Sequence, residues 1–315
     1  MTPIVRPATL ADLPAAASIK AAGSVDMNLR AHPALGIGEP DHAQKTAAAL
    51  ALFTELRAEN PEQVWVATAG DIGHEVVCGM AAAVMRGRHA HIVAYFVDPA
   101  RQGRGLGRAL FTALLDACRR HGCDILSLYS SDDPRAMTHY LQHALWPQPP
   151  HLFLVAARLT PPNPAASAVS PLRAEPITDE ATLNTAGDID KAVRGVRRMD
   201  DLRRWVEEGD GLLLVDRLSG VPAGYAFLRD EREVGRVGPV AANAAAAMPL
   251  VLAAALREAA SRPAAEWRAF VPGENHAALA TLLAWGFRAQ YAYPYMATAP
   301  IGQPDRYLLR DFNLL

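Results

Sequence analysis

The spacing of apolar and polar positions in the first half of the chain predicts strands that alternate with helices. Period-two or continuous apolar runs between turn residues indicate strands, and apolar positions three and four apart indicate helices. The predicted strands are 4–6, 64–69, 76–85, 89–97, 124–129 and 151–159. The predicted helices are 9–22, 44–59 and 106–120, with a loosely patterned segment at 23–42. Strand hairpins that alternate with helices predict a mixed α/β sheet.

The second half of the chain repeats this outline. Strands are predicted at 211–217, 222–228, 234–240, 267–271 and 291–298, and a helix at 245–261. Asp133 is separated from Asn275 by nearly the same number of positions as Val97 is from Val240. A nearly constant separation between these two pairs of matching positions indicates an internal duplication.

A stretch without charge separates the two halves. Residues 160–171 are rich in proline, alanine and serine, a composition that favours extended backbone and cannot form a core. The predicted organisation is a domain at 1–159, a linker at 160–171 and a domain at 172–315. Within the second domain, 188–208 is predicted to be helical with a solvated polar face, and the apolar tail at 304–315 is predicted to pack.

Composition narrows the classes of partner. The chain has 315 residues, with 31 basic and 33 acidic side chains and a net charge of −2. The sequence has no block of Lys and Arg residues of the kind that binds nucleic acid, and it has no apolar run long enough to span a membrane. A small-molecule partner is therefore expected. Three cysteines without metal-ligand spacing and the absence of a signal-peptide pattern predict a cytoplasmic protein without a metal. The sequence leaves open whether the protein is a monomer or a homodimer.

The most informative stretch is a glycine-rich turn between the strand at 89–97 and the helix at 106–120. Gly103, Gly105 and Gly107 free the backbone, so that successive N–H groups can converge at the helix N-terminus. The helix dipole favours an anion there, and nearby arginines add positive charge. The turn fits neither the dinucleotide fingerprint, which needs a third glycine or alanine at a fixed spacing, nor the P-loop, which needs Gly-Lys-Ser/Thr.

The run Gln102-Gly103-Arg104-Gly105-Leu106-Gly107 resembles the Q/R-x-x-G-x-G/A loop of the GNAT superfamily of acyl-CoA-dependent N-acyltransferases. The resemblance implies two tandem GNAT-like domains, each with a mixed, mostly antiparallel sheet flanked by helices. It also implies that the loop amides hold the pyrophosphate of acetyl-CoA and that the end of the preceding strand pairs with the pantetheine arm. The residues assigned to the cofactor in this way are Phe96, Val97, Gln102, Gly103, Arg104, Gly105, Leu106, Gly107, Arg108 and Asp133.

The segment from Asp133 to Leu145 resembles the N-x-x-A-x-x-x-Y-x-x-x-G-F helix of the same family. Ala136 and Tyr140 match the pattern, while Asp133 stands at the Asn position and Ala144-Leu145 replace Gly-Phe. The resemblance implies that Tyr140 is the general acid that protonates the leaving thiolate. A tyrosine on an amphipathic helix is otherwise usually part of the core.

Acylation of an amine also needs a base, because an ammonium group must lose a proton before it can attack. Family members that use a carboxylate on the strand carry it at the position that His91 occupies here. Period-two alternation predicts that His91 shares one face of the strand with Tyr95. A histidine has an unperturbed pKa of ~6.5 and can accept a proton near neutral pH. His89, His139 and Asp132 are the alternatives.

The second half lacks a standard CoA loop, because an alanine-rich run without glycine follows Val240. A degenerate loop that still binds CoA is the alternative for this half. The first half is therefore expected to transfer an acetyl or other short acyl group from CoA to a primary amine of a small molecule. The alternatives are a non-catalytic acyl-CoA sensor, a scaffold protein and, more distantly, a nucleotide-dependent oxidoreductase.

Overall fold

The structure is a computed structural model that describes residues 4–31, 42–70, 75–131, 133–162, 170–231 and 233–313. The chain forms two compact units. Unit 1 contains Met1–Trp146 and Met296–Thr298, and unit 2 contains Pro147–Tyr295 and Ala299–Leu315. The boundaries 159/160 and 171/172 stay predictions, and residues 163–169 of the proposed linker lie outside the described residues. None of the helices in the described ranges is both long and apolar enough to cross a bilayer.

Unit 1 is a sheet in the order β1-β2-β3-β4-β5, with helices α1 to α4. The sheet is antiparallel except for β4 and β5, which are parallel. The strands are β1 (Ile4–Pro7), β2 (Val64–Ala69), β3 (Val76–Arg86), β4 (His89–Val97) and β5 (Ile125–Tyr129). The helices are α1 (Leu13–Ala31), α2 (His42–Glu59), α3 (Leu106–Arg120) and α4 (Pro134–Gln142).

The core of unit 1 lies between the sheet and α3. The helix buries apolar residues at three- and four-residue spacing, among them Leu106, Leu110 and Leu114, against Ala90 and Ile92 of β4. The buried positions have the three- and four-residue spacing from which this helix was predicted.

The first helix is longer than the sequence indicated. It follows a 3-10 turn at Leu10–Asp12 and continues to Ala31, so the prediction of irregular backbone directly after Gly23 was wrong. Gly23 is helical and lies against Phe96 of β4, where a Cβ would overlap the aromatic ring. Close packing on the strand therefore explains the glycine, and residues 32–41 lie outside the described residues.

Unit 2 has the sheet order β7-β8-β9-β10-β11-β6-β12, with the short strand β13 paired to β10. The sheet is parallel between β10 and β11, and the other described pairings are antiparallel. The strands are β6 (Trp146–Ala156), β7 (Leu172–Pro176), β8 (Asp210–Asp216), β9 (Pro222–Glu231), β10 (Val234–Ala242), β11 (Glu266–Pro272), β12 (Arg288–Ala297) and β13 (Tyr307–Leu308). The helices are α5 (Glu180–Arg194), α6 (Met199–Glu208), α7 (Met248–Ala260) and α8 (His276–Ala284).

The register of the two sheets confirms that unit 2 repeats unit 1. β4 pairs with β5 up to Ile92, and β10 pairs with β11 up to Val237; a β-bulge follows in both strands. Val97, the last residue of β4, pairs with Gly79, and Ala242, the last residue of β10, pairs with Gly224. Val97 therefore corresponds to Ala242 rather than to Val240, which the sequence comparison had paired with it.

The polar segment at 188–208 is not a single solvated helix. It is divided between α5 and α6, and Asp190, Arg198 and Asp201 are buried. Arg198 donates to both carboxylate oxygens of Asp190 at 2.8 Å and also to the hydroxyl of Tyr307. The sequence pattern did not show this burial, because Tyr225 and Tyr307, which contact Asp190 and Arg198, are distant in sequence. The prediction that the tail packs is confirmed, since Tyr307, Leu308 and Leu309 are buried.

Candidate functional site

The glycines of the turn before α3 have two separate structural causes. Gly103 and Gly105 have φ angles of 77° and 79°, in the left-handed region that L-residues rarely adopt. A Cβ at either position would meet no atom within 4 Å, so conformation and not space requires glycine there. Gly107 lies inside the helix, where a Cβ would stand 2.7 Å from the hydroxyl of Tyr95. The turn therefore brings the start of α3 close to the end of β4.

The amide groups of this turn have no internal acceptors. The first amide to make a helical bond is that of Ala109, which donates to the carbonyl of Gly105 at 3.1 Å. Over the described ranges, no protein group accepts from the N–H groups of residues 103 to 108. Free N–H groups at a helix N-terminus, with the positive end of its dipole, form a site for an anion such as a diphosphate.

Two arginines supply unneutralised positive charge around these amides. Arg104 and Arg108 are exposed and have no acidic partner in the described part of the chain. Arg101 differs, since it lies 3.7 Å from a carboxylate oxygen of Asp98 and donates to the Cys78 sulfur at 3.0 Å. Gln102 donates through its side-chain amide to the carbonyl of Val97 at 3.2 Å, which joins the turn to the end of β4.

The end of β4 separates from β5. The parallel pairing of the two strands covers His89 to Ile92, and the bulge at Val93 then shifts the register of β4 against β3. Beyond the bulge, no strand in the described ranges pairs with the β5 side of Tyr95 and Phe96. A backbone edge with free hydrogen-bonding groups therefore leads to the glycine turn.

The bulge also corrects the expected orientation of His91. Ala90, Ile92 and Tyr95 all belong to the cluster that packs on α3, so side-chain alternation reverses at Val93. His91 consequently lies on the opposite face of β4 from Tyr95, and the prediction that they share a face was wrong. Period-two alternation could not reveal this, because the bulge inserts one residue into the strand.

His91 is buried and contacts a serine that the sequence analysis did not identify. Its Nδ1 lies 2.9 Å from the hydroxyl oxygen of Ser127 on β5, and the same oxygen lies 2.7 Å from Nε2 of His89. A hydroxyl has one proton, so it can donate to one imidazole and must accept from the other. When Ser127 accepts from Nδ1 of His91, Nε2 is the basic nitrogen of that ring.

Tyr140 lies in an aromatic cluster on the α3 side of the sheet. Its ring is 6.3 Å from Tyr95 and 5.9 Å from Phe111, measured between ring centroids. Burial raises the pKa of Tyr140, and the nearby Tyr95 and Asp133 raise it further, so the phenol stays protonated at neutral pH. No protein group in the described ranges hydrogen-bonds to its hydroxyl.

The remaining candidates have other surroundings. Asp133 caps α4 by accepting from the amide of Arg135 at 2.9 Å, and it also pairs with the Arg135 guanidinium. His139 stacks on Tyr95, with its Nε2 buried and unpartnered, and burial lowers its pKa together with the charges of His143 and Arg108. Asp132 lies outside the described residues. Unit 2 has no comparable turn, because a 3-10 helix of three alanines, Ala245–Ala247, leads directly into α7.

Comparison with protein families gives two matches. Residues 31–144 match the family described as "Acetyltransferase (GNAT) family", and residues 187–308 match "Acetyltransferase (GNAT) domain". The two matched segments fall in the two halves that the sheet registers relate to each other. Among curated protein sequences, none is significantly similar to this chain.

Solved structures resemble the fold over nearly the whole chain. A protein from Pyrococcus horikoshii that is named as a candidate acetyltransferase has a TM-score of 0.68 at 20% identity, covering 99% of this chain and 96% of its own. A GCN5-related N-acetyltransferase from Sphaerobacter thermophilus gives 0.59 at 16%, covering 96% and 98%. A tandem GNAT protein from the clavulanic acid biosynthesis pathway gives 0.55 at 16%, covering 95% and 99%. At these identities the likeness concerns the fold.

Proposed function

Because the chain belongs to the GNAT family of acetyltransferases, we propose that unit 1 transfers an acetyl or other short acyl group from CoA to a primary amine of a small molecule. The observation that carries this proposal is the turn at 102–108. In the described part of the chain, the amides of 103–108 lack acceptors, two exposed arginines beside them lack acidic partners, and the unpaired edge of β4 leads directly to the turn. This combination suits a ligand that joins a diphosphate to an extended arm with amide groups.

The residues present fit acyl-CoA. The amides of 103–108, with Arg104 and Arg108, would hold the diphosphate, and the edge at Phe96 and Val97 would pair with the pantetheine arm. A Cβ built at Gly103 or Gly105 would meet open space, which leaves room for a ligand beside the turn. When bound, acyl-CoA supplies the thioester carbonyl and the leaving thiolate.

In the reaction, the amine nitrogen forms a bond to the acyl carbon as the carbon–sulfur bond breaks. His91 takes the proton that the amine loses; when Ser127 accepts from its Nδ1, the basic nitrogen of the ring is Nε2. A backbone amide near Phe96 or Val97 polarises the carbonyl. Tyr140 donates its hydroxyl proton to the sulfur, which its raised pKa keeps available at neutral pH.

Substitution of Tyr140 by phenylalanine separates an enzyme from an acyl-CoA sensor. For an enzyme, Tyr140→Phe lowers kcat by about 10²- to 10⁴-fold while the Kd for acetyl-CoA stays unchanged, since only the hydroxyl is removed. Release of free thiol measures turnover, and calorimetry measures binding. If the wild-type protein binds acetyl-CoA but acylates no amine in a broad library, the sensor is supported instead.

The base is tested in the same assay. His91→Gln is expected to lower kcat by about 10²- to 10⁴-fold at neutral pH. His121→Gln is the matched control, because His121 is an exposed histidine that pairs with Glu62 at 2.8 Å at the far end of α3. Equal activity of the two variants would remove His91 from the mechanism. The nearly balanced charge of the chain supports a small amine as the acceptor over a polyanion.

A further inference from the structure

Each unit has its own gap between two neighbouring strands of its sheet. In unit 1, the gap opens where β4 and β5 stop pairing, with Tyr95 and Phe96 on one edge and Tyr129 on the other. The sheet registers give the equivalent edges in unit 2. They are Val240 and Ala241 of β10, and Phe270 of β11.

The gap in unit 2 is filled by the C-terminal part of the chain itself. Leu308 pairs with Val240 and Tyr307 with Ala241, both antiparallel to β10. Leu309 forms a bridge with Phe270 on the other edge, donating to its carbonyl at 2.9 Å. The segment 307–309 therefore satisfies both edges at the position where unit 1 has an unpaired strand edge.

We propose that Tyr307–Leu309 takes, in unit 2, the place that the pantetheine arm of acyl-CoA takes in unit 1. The segment is an internal occupant that closes unit 2 to the cofactor, so one chain has a single acyl-CoA site. The inference rests on the proposed function for the identity of the ligand in unit 1, whereas the occupation of unit 2 stands on backbone pairing alone.

The cap of the following helix supports the equivalence. Asn275 caps α8 as Asp133 caps α4, and it is fully buried. Its side-chain amide donates to the backbone carbonyl of Tyr307 at 3.1 Å. In unit 2, the cap side chain of Asn275 thus contacts the inserted backbone. The resemblance assigns the equivalent role in unit 1 to Asp133, which would contact the cofactor. Asp133, as a carboxylate, can accept from an amide N–H of that arm.

The inserted segment is held by side chains that a ligand would have to displace. Tyr307 is fully buried, and its hydroxyl accepts from Arg198, which is itself paired with Asp190. Arg194 lies over the same ring, 4.6 Å from its centroid. The alanine-rich start of α7 offers no glycine turn for a diphosphate, so the described start of this helix provides no contacts that would offset the loss of the ones to Tyr307.

Hydrogen exchange on the full chain tests the occupation directly. We expect the amides at 307–309 to exchange roughly 10²-fold or more slowly than in an unfolded chain, and at the same rate with or without acetyl-CoA. The segment 94–108 should become protected when acetyl-CoA is added. Fast exchange at 307–309, or exchange that accelerates with the cofactor, would overturn the inference.

Calorimetry on a matched pair of variants tests the single site. Gly105 and Ala247 immediately precede α3 and α7 as their N-cap residues. We expect one acetyl-CoA per wild-type chain, complete loss of binding in Gly105→Val, and one acetyl-CoA per chain in Ala247→Val. Two cofactors per chain, or binding that survives Gly105→Val and disappears in Ala247→Val, would contradict the inference. If neither the wild type nor either variant binds acetyl-CoA while 307–309 stays protected, the proposed function fails and the internal occupation of unit 2 stands.

Discussion

Single residues in the turn before α3 show why its glycine pattern is recognisable from sequence. Backbone conformation requires glycine at 103 and 105, and the close approach of Tyr95 requires it at 107. Each requirement excludes most other residue types, so the three glycines form a recognisable motif in the sequence. The cluster of free amides was predictable for this reason, since its donors are backbone groups and need only the turn and the helix.

The conformational requirement at Gly105 leads to a prediction on stability. Gly105→Ala is expected to destabilise the fold by about 1–2 kcal/mol, because alanine is disfavoured at a φ of 79°. Gly105→Asn should cost less, since asparagine tolerates the left-handed region. Urea unfolding without acetyl-CoA measures both variants. Equal stability of glycine and alanine at this position would show that the turn relaxes.

Ser127 was missed because its role depends on a parallel neighbour far away in sequence. Its only local signal is that it is polar within an otherwise apolar and aromatic strand, Ile125–Tyr129. Fully buried, it lies opposite His91 in the register of β4 and β5. A polar residue in a buried strand needs a partner, and the partner could have been sought among the histidines of the preceding strand.

Removing the Ser127 hydroxyl should alter the pH dependence of catalysis. In Ser127→Ala, His91 loses the contact that fixes its tautomer, so kcat/KM falls and the acidic limb of its pH profile moves. Ser130→Ala is the control, because Ser130 is also buried but bonds only locally, to the carbonyl of Ser131 at 2.8 Å. An unchanged profile in Ser127→Ala would show that His91 is not oriented by this serine.

Among the secondary-structure elements, most strand and helix positions followed from periodicity, and the exceptions have physical causes. α1 runs through Gly23 because the glycine lies against Phe96. In β4, the side chains that follow Val93 point to the opposite faces from those that strict alternation predicts, because the bulge adds one residue. The apolar pattern of the sequence does not show this extra residue. Local spacing cannot show either effect, since both depend on a neighbouring element.

The histidines of α4 predict a loss of stability in mild acid. Burial lowers the pKa of His139 and His143 below the unfolded value of ~6.5, and the charge of Arg108 lowers both further. Below about pH 6.5 the unfolded chain therefore binds more protons at these sites than the folded chain does. Their stabilising contribution is complete above this pH and is lost as the pH falls.

Replacing both histidines should reduce this dependence. The double variant His139→Asn/His143→Asn is expected to lose less unfolding free energy than the wild type between about pH 7 and pH 5. His276→Asn serves as the control, since His276 is exposed at the start of α8. Urea unfolding at several pH values measures the difference. A double variant with the wild-type slope would contradict the expected direction of this pH effect.

At the scale of the whole molecule, the duplication was evident from sequence, but the packing of the C-terminal segment was not. Tyr307 and Leu308 pair with residues of β10 that lie far earlier in the chain. The apolar character of the tail predicted that it packs, without showing where. The buried charges of α5 and α6 were misread for the same reason, because Asp190 and Arg198 meet Tyr225 and Tyr307 only in the folded unit.

This buried network gives a prediction for unit 2. Arg198→Met or Asp190→Asn alone should destabilise the unit by about 3–5 kcal/mol, since each leaves a buried charge without its partner. The double variant should recover much of the loss, because both charges are then absent. Denaturant unfolding of all four forms completes the cycle. Strictly additive losses would show that the two residues do not act as a pair.

The reversal of faces at Val93 has a consequence for the order of events during turnover. Tyr140 and His91 approach β4 from opposite sides of the sheet. In the proposed reaction, the donor thioester and the acceptor amine therefore enter from opposite sides and meet at the gap between β4 and β5 while both are bound. Direct transfer within a ternary complex then needs no covalently modified protein. Double-reciprocal plots of initial rates at several fixed amine concentrations should intersect, whereas parallel lines would indicate a substituted-enzyme route.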